Sequence, residues 1–332
     1  MTRIQRTMTA SPLDHVRRSL NEIEKSNLPG PIKSAARFVR RVGRSVMYRT
    51  RAAFNPVVIK RNIVYPVRNV VLRHKPLAVE VGGLSYVLAP EGTVPLEMWS
   101  GGRFEEHELE FILSVLEPGM TFVDVGANVG MFAIPGAKKV KHGRVLAFEP
   151  TSWTYERLLK NVKLNGLENI TTERAALGDR LGNTILHVNA RGKDGLNSLG
   201  KPCHPDCEVV SKELVRMTTL DESLHERGIE SVDVIKMDVE GAELLVFRGA
   251  TRQLSMNPGP LVLFENTFLS RGLDYHPVEQ LWFLQKYGYL LFTIDPDTGK
   301  VSPRRHGMAH NTNIIAVKPS HPAYGCIKER AR

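Results

Sequence analysis

From residue 120 onward, short apolar runs alternate with longer segments whose apolar positions recur every three or four residues. TFVDV (121–125), RVLAFEP (144–150), VDVIKMDV (232–239) and GPLVLFEN (259–266) carry too little polar alternation for a half-exposed sheet, so they read as strands buried on both faces. MFAIPGAKKV (131–140), WTYERLLKNVKLNG (153–166), GAELLVFRGA (241–250) and VEQLWFLQKYG (278–288) have helical spacing, and Pro135 predicts a kink in the first of them. NITTERAAL (169–177) reads as one strand. TILHVN (184–189) and ELVRMTTL (213–220) read as two more around a loop rich in Gly, Pro and His, and LDESLHERG (220–228) as a short helix. Strands that alternate with helices predict an α/β fold with a doubly wound, mostly parallel sheet. YLLFTID (289–295) and NTNIIAV (311–317) have no helix between them, which predicts an antiparallel hairpin at a sheet edge.

Ahead of this repeat, HELEFILSVLEPG (107–119) is a helix ended by Pro and Gly. Residues 67–88 predict two strands, VRNVVLRH and the segment ending LSYVLAP, separated by Gly82-Gly83. Ser11-Pro12 opens a capped helix, Pro29-Gly30-Pro31 breaks it, and IKSAARFVRRVGRSVMYR (32–49) is a basic amphipathic helix. The expected organisation is a basic helical extension over 1–60, a small β-element or linker over 61–105, the main domain over 106–320 and a tail over 321–332.

Charge sharpens this division. The net charge is +10 over 332 residues. Residues 1–75 hold 17 Lys and Arg against 3 acids, and the remainder 28 against 32. The body is therefore slightly acidic, which a uniformly basic nucleic-acid-binding domain is not. The basic helix suits its own protein body, an anionic membrane surface or RNA. Three cysteines are too few for a disulfide framework, and no apolar run is long enough to span a bilayer. A cytoplasmic protein, peripheral to a membrane at most, is the expectation.

The candidate chemistry begins at Asp124-Val125-Gly126-Ala127-Asn128-Val129-Gly130, where the first buried strand ends. Ligands of open α/β sheets bind at such strand ends, and glycines there let a ligand approach the backbone. The spacing is neither the dinucleotide fingerprint nor a P-loop. A carboxylate before the turn repels pyrophosphate and suits a cationic ligand. Glu149 ends the next strand, 19 residues after Gly130, where an acid can accept hydrogen bonds from a ribose diol. A cationic, amino-acid-bearing adenosine ligand meets both conditions, namely S-adenosyl-L-methionine.

Five stretches together resemble the FkbM family of S-adenosylmethionine-dependent methyltransferases: LEPGMTFVDVGANVG, RVLAFEPTSWTYERLLKNVKLNG, AALGD (175–179), VDVIKMDVEGAELLVFRGA and NIIAV. The likeness covers roughly residues 95–318 and leaves out the first 75. It implies a seven-stranded Rossmann-like methyltransferase sheet with an antiparallel last strand. It also implies donor contacts at Asp124, Gly126, Ala127, Asn128, Gly130 and Glu149, an adenine wall at Ala176 and Leu177 within the 176–179 turn, and Asp238 near the methionine end and the transferable methyl. Hydroxyl acceptors on sugars, glycolipids or secondary metabolites are the implied substrates, so small-molecule or glycan O-methylation is the expected function. RNA or another nucleic acid, held by the basic arm, is the alternative, with strong salt dependence as its mark.

An alcohol acceptor must lose a proton, so a base helps. Asp238, Glu240, Glu265 and His310 are the candidates, with Glu243 a helix acid that also fits a surface salt bridge and Asp238 also placed to cap the following helix. Asp238, Glu265 and Asn266 are similar in position to the ligands of divalent-metal O-methyltransferases of the catechol type, which makes a divalent metal a second cofactor candidate. The loop from Arg191 to Asp206 is expected to cover the acceptor. Its Cys203, His204 and Cys207 fall one ligand short of a structural zinc site, with His187 and Cys326 no obvious completion. His306, His310 and Asn311 precede the last strand at the same sheet end.

Overall fold

The computed structural model describes residues 75–91, 93–100, 105–190, 193–304 and 312–331. The two N-terminal helices, the expected strand at 67–74, and His306, His310 and Asn311 lie outside the described residues. The chain divides into two units, one of residues up to Val79 with Leu88–Phe104 and one of Glu80–Val87 with Glu105–Arg332. The described part of the smaller unit includes α1 (Thr93–Ser100). β1 (Leu77–Val81) and β2 (Leu84–Leu88) form a hairpin turned by Gly82 and Gly83, both at positive φ. Among the described residues the partner of β2 is Leu77–Val81.

The larger unit runs α2 (Glu106–Val115), β3 (Thr121–Val125), α3 (Ala133–Val140), β4 (Arg144–Phe148), α4 (Ser152–Leu164), β5 (Ile170–Glu173), β6 (Ala176–Leu177), β7 (Gly182–Asn189), β8 (Val209–Thr218), α5 (Leu220–Glu226), β9 (Val234–Met237), α6 (Glu243–Arg248), α7 (Thr251–Ser255), β10 (Leu261–Asn266), α8 (Pro277–Lys286), β11 (Leu290–Ile294), β12 (Val301–Pro303), β13 (Thr312–Val317) and α9 (Tyr324–Arg330). Its main sheet has the order β12-β11-β13-β10-β9-β3-β4-β5. β5, β4, β3, β9 and β10 are parallel to one another, and β13 runs antiparallel to both β10 and β11. β3 pairs with β4 on one edge and β9 on the other, so the strand order reverses there, which opens a crevice at the carboxyl ends. Side chains from both sides of that switch, among them Val123, Phe148, Met237 and Phe264, pack with Phe247 and Leu284 from the helices in one core cluster.

The sheet is the doubly wound one expected, with three differences. A three-residue strand, β12, makes an eighth at the edge, while β13 lies inside the sheet rather than at its rim. The last four residues of β13, Ile314–Val317, are buried, and such a run is stable only with a neighbour on each side. The 169–177 run breaks at Arg174-Ala175: β5 stays on the main sheet while β6 joins β7 and β8 in a second, three-stranded sheet. Pro135 falls in the first turn of α3, where its missing N–H removes no internal hydrogen bond, so the expected kink has no cause. Among the described residues no helix is long and apolar enough to cross a membrane.

Candidate active site

A cleft of about 70 Å³, open to solvent, lies at the carboxyl ends of β3, β4 and β9. Gly126, Asn128, Glu149, Asp238 and Glu240 line it, as do Ala176 and Leu177 on the opposite wall. The amides of Gly126 and Ala127 both donate to the Phe148 carbonyl at 2.9 Å, tying the first loop to the second strand. Glu149 stands just beyond: Oε2 accepts from the Asn128 amide at 3.1 Å and Oε1 from the Thr151 amide at 2.9 Å. Two main-chain donors hold this carboxylate in one orientation at the cleft wall.

The glycines serve the turn in a way not anticipated. Gly126 has φ +79°, and a Cβ there would lie 1.9 Å from the Asp238 carbonyl oxygen. At Gly130, φ +94°, it would lie 2.7 Å from the Ile134 side chain. Their bareness also lets the β3 loop pack on the β9 loop and on α3. Neither Ala127 nor Gly130 is among the lining residues, and Asp124 is buried beneath the turn.

Beside the cleft sits a buried charge cluster. Asp124 is 1% exposed, and neither carboxylate oxygen has a hydrogen-bond partner meeting normal geometry, although the Ala133 amide favours its charged form. Burial pushes its pKa up to about 6, against the pull of Lys236. Lys236 pairs with Asp124 across β3 and β9. Its Nζ lies 3.5 Å from Asp238 Oδ2 and 4.6 Å from the centre of the Phe132 ring. Burial opposes its charge, but Asp238, Glu105 and Asp124 outweigh burial and hold it well above the usual lysine range. Burial likewise raises Glu105 to about 7 and Glu265 to about 8, and pushes Glu240 well up beside Asp238 and Glu265.

Four candidate residues are thereby sorted. Asp238 and Glu240 line the cleft; Glu265 does not, although Asp238 is near enough to raise its pKa. Asp238 does not cap α6, whose N-cap is Ala242 without a side-chain hydrogen bond. Glu243 is no surface acid: it is 1% exposed, accepts from the Gly241 amide at 3.3 Å and is pushed by burial up to about 7. Of the 176–179 turn, Ala176 and Leu177 reach the cleft, whereas Asp179 pairs with Arg180 at 3.2 Å and Gly178 packs on Met217.

Of the loop from Arg191 to Asp206, Gly195, Asn197 and Leu199 line the cleft. Asn197 Nδ2 donates to Thr151 Oγ1 at 3.2 Å, and Asn197 Oδ1 accepts from the Asn189 amide at 2.8 Å. A much smaller hollow, between Ser198, Cys203, Cys207 and Leu269, shares Glu240 with the first.

The donor sets proposed for metals do not assemble. Among the described residues no three His, Cys, Asp or Glu side chains are grouped to hold an ion. Asn266 Oδ1 is occupied by Gln280 Nε2 at 2.7 Å, and His204 stacks on Phe268 rather than facing both cysteines. Lys236, Glu105 and Thr151 were not singled out from sequence as cleft or cluster members. Lys236 had a signal, being the one charge inside an otherwise apolar strand; Glu105 had none.

Residues 124–291 match the model of the Methyltransferase FkbM domain. The chain is similar to the methyltransferase sdnD of Sordaria araneosa, 28% identical over 40% of this chain and 60% of that protein. It is similar to the hexuronic acid methyltransferase AglP of Haloferax volcanii, 24% identical over 69% of this chain and 89% of that one. It is also similar to the 2-O-methyltransferase NoeI of Sinorhizobium fredii, 29% identical over 43% of this chain and 63% of that protein. The chain thus spans about 60% of the length of the first and last of these relatives.

Proposed function

The chain belongs to the FkbM methyltransferase family, and from that premise we propose that it transfers a methyl group from S-adenosyl-L-methionine to a hydroxyl of a sugar, glycolipid or secondary metabolite. The observation that carries this reading is the cleft at the strand switch, where a carboxylate fixed by two amides (Glu149) and a second carboxylate (Asp238) meet the bare turn at Gly126. These residues fit the donor's chemistry. Glu149 is a carboxylate held at the cleft wall where ribose hydroxyls can donate to it, Ala176 and Leu177 give an apolar wall for the adenine, and Asp238 offers negative charge to the cationic end. When bound, the donor supplies an electrophilic methyl on a sulfonium.

The protein's task is then to hold the acceptor oxygen in line with that methyl and to take its proton. Glu240 is the group placed for the proton. It lines the cleft, and burial followed by the acids beside it raises its pKa, which makes its carboxylate a stronger base than a free one. The similarity to AglP, a hexuronic acid methyltransferase, supports a sugar acceptor, and that to NoeI, a 2-O-methyltransferase, supports oxygen as the methylated atom. Incubating the protein with tritiated donor and a panel of glycans, lipid-linked sugars and RNA tests this. Label is expected on a hydroxyl-bearing glycan or metabolite and should be lost in Glu240→Gln while donor affinity stays within about threefold. Label on RNA alone, weakened steeply by salt, would overturn the reading.

A further inference from the structure

The charge cluster holds one cation against several acids, and the geometry gives that cation a task. Lys236 lies on the face of the sheet that carries Asp124, its cross-strand partner on β3, and Asp238, two residues further along its own chain. It is 6% exposed and does not line the cleft, so it does not touch a ligand there. Its ammonium is fixed from two sides, by Asp238 Oδ2 at 3.5 Å and by the face of Phe132 at 4.6 Å. The other charges that act on it are Glu105, which precedes α2, Asp124 and Glu265 of β10. Asp238 is the member of this set that reaches the cleft. Its Oδ1 is buried without a hydrogen-bond partner, so the salt bridge on Oδ2 is what determines how its carboxylate points.

We propose that Lys236 is a positioning residue, which aims the Asp238 carboxylate into the cleft and through it makes the site prefer a cationic sulfonium donor over its uncharged thioether product. The argument rests on the reading that the cleft holds S-adenosylmethionine. A buried carboxylate with no counter-charge neutralises itself by taking a proton, and a neutral acid exerts no pull on a sulfonium. Lys236 gives that carboxylate a counter-charge at 3.5 Å and limits its rotation. Methyl transfer removes the positive charge from the sulfur, so the same contact that binds the donor loosens on the product and favours release.

The test is calorimetric titration of folded protein, full chain, with S-adenosylmethionine and with S-adenosylhomocysteine. The parent should bind the first about tenfold more tightly, the ratio expected for one charge–charge contact in a partly wet cleft. Lys236→Gln should bring the two affinities to within about twofold, and Lys236→Arg, which keeps the charge, should restore most of the ratio. A purely structural lysine would weaken both ligands alike and leave the ratio unchanged. Asp238→Asn provides the second route should Lys236→Gln not fold, because it leaves Lys236 among Asp124, Glu105 and Glu265; it too should lose the ratio. A parent ratio near one, or a ratio preserved in folded Lys236→Gln or in Asp238→Asn, overturns the proposal. Failure of the parent to bind either ligand overturns instead the reading of the cleft on which it rests.

Discussion

Gly126→Ala separates two costs that a glycine at positive φ can hide. The first is backbone strain, since an L-residue at φ +79° costs roughly 1–2 kcal/mol. The second is overlap. An added Cβ would lie 1.9 Å from the Asp238 carbonyl oxygen and 3.0 Å from its carbon, and both are backbone atoms without a rotamer in which to retreat. Relieving that contact means moving the β9 loop or the β3 loop by more than an ångström, which for overpacked interiors costs about 1–3 kcal/mol more. Gly166 supplies the control. Its φ is +62° and nothing lies within 4 Å of its Cβ position, so Gly166→Ala meets strain alone. Thermal unfolding followed by circular dichroism should show Gly126→Ala about 2–5 kcal/mol less stable than the parent and Gly166→Ala about 1–2 kcal/mol less stable. The Asn128 amide that binds Glu149 moves with the β3 loop, so Gly126→Ala should also weaken binding of S-adenosylhomocysteine and Gly166→Ala should not. Equal destabilisation by the two substitutions would refute the claim that packing of loop on loop, and not conformation alone, requires glycine at 126.

Two further outcomes follow from the buried acids. Glu243 has its folded pKa raised from 4.5 to about 7, so the folded state holds a proton that the unfolded chain has released. Stability is therefore lost as pH rises through that window; Glu243→Gln should be stabilising by a few kcal/mol at pH 8 and by much less at pH 4.5, read from urea midpoints, and an equal gain at both values would refute the assignment. Methyl transfer should survive EDTA, because Asp238 lines the cleft whereas Glu265 does not and the Asn266 amide is buried against that of Gln280; loss of activity restored by Mg²⁺ would contradict this.

How much of this was written in the sequence depends on the range of the interaction. β3, β4, β9 and β10 were legible because a strand buried on both faces must be apolar throughout, and the glycine-rich turn, Glu149 and Asp238 were legible as residues at strand ends. The break of 169–177 into two strands on separate sheets was not, because ITTE and AL each satisfy β-propensity and only the partner sheets differ. The interior place of β13 depends on pairing across the sheet, to which local pattern is blind. The purpose of Gly126 depended on the Asp238 backbone more than a hundred residues away. Lys236 announced that something unusual was buried, but its partners Asp124 and Glu105 lie on other elements, so the cluster became visible only in three dimensions.

The central claim, that the crevice between β3, β4 and β9 holds S-adenosylmethionine with Glu149 on its ribose, is tested most directly by calorimetry of the parent and of Glu149→Gln with S-adenosylhomocysteine. The product lacks the sulfonium, so the comparison isolates the diol contact from the charge cluster. The account predicts saturable one-to-one binding by the parent, weakened in the variant by about 1.5–3 kcal/mol, the worth of a hydrogen bond to a charged group. Absence of binding by folded parent protein, or identical affinity in Glu149→Gln, would contradict it.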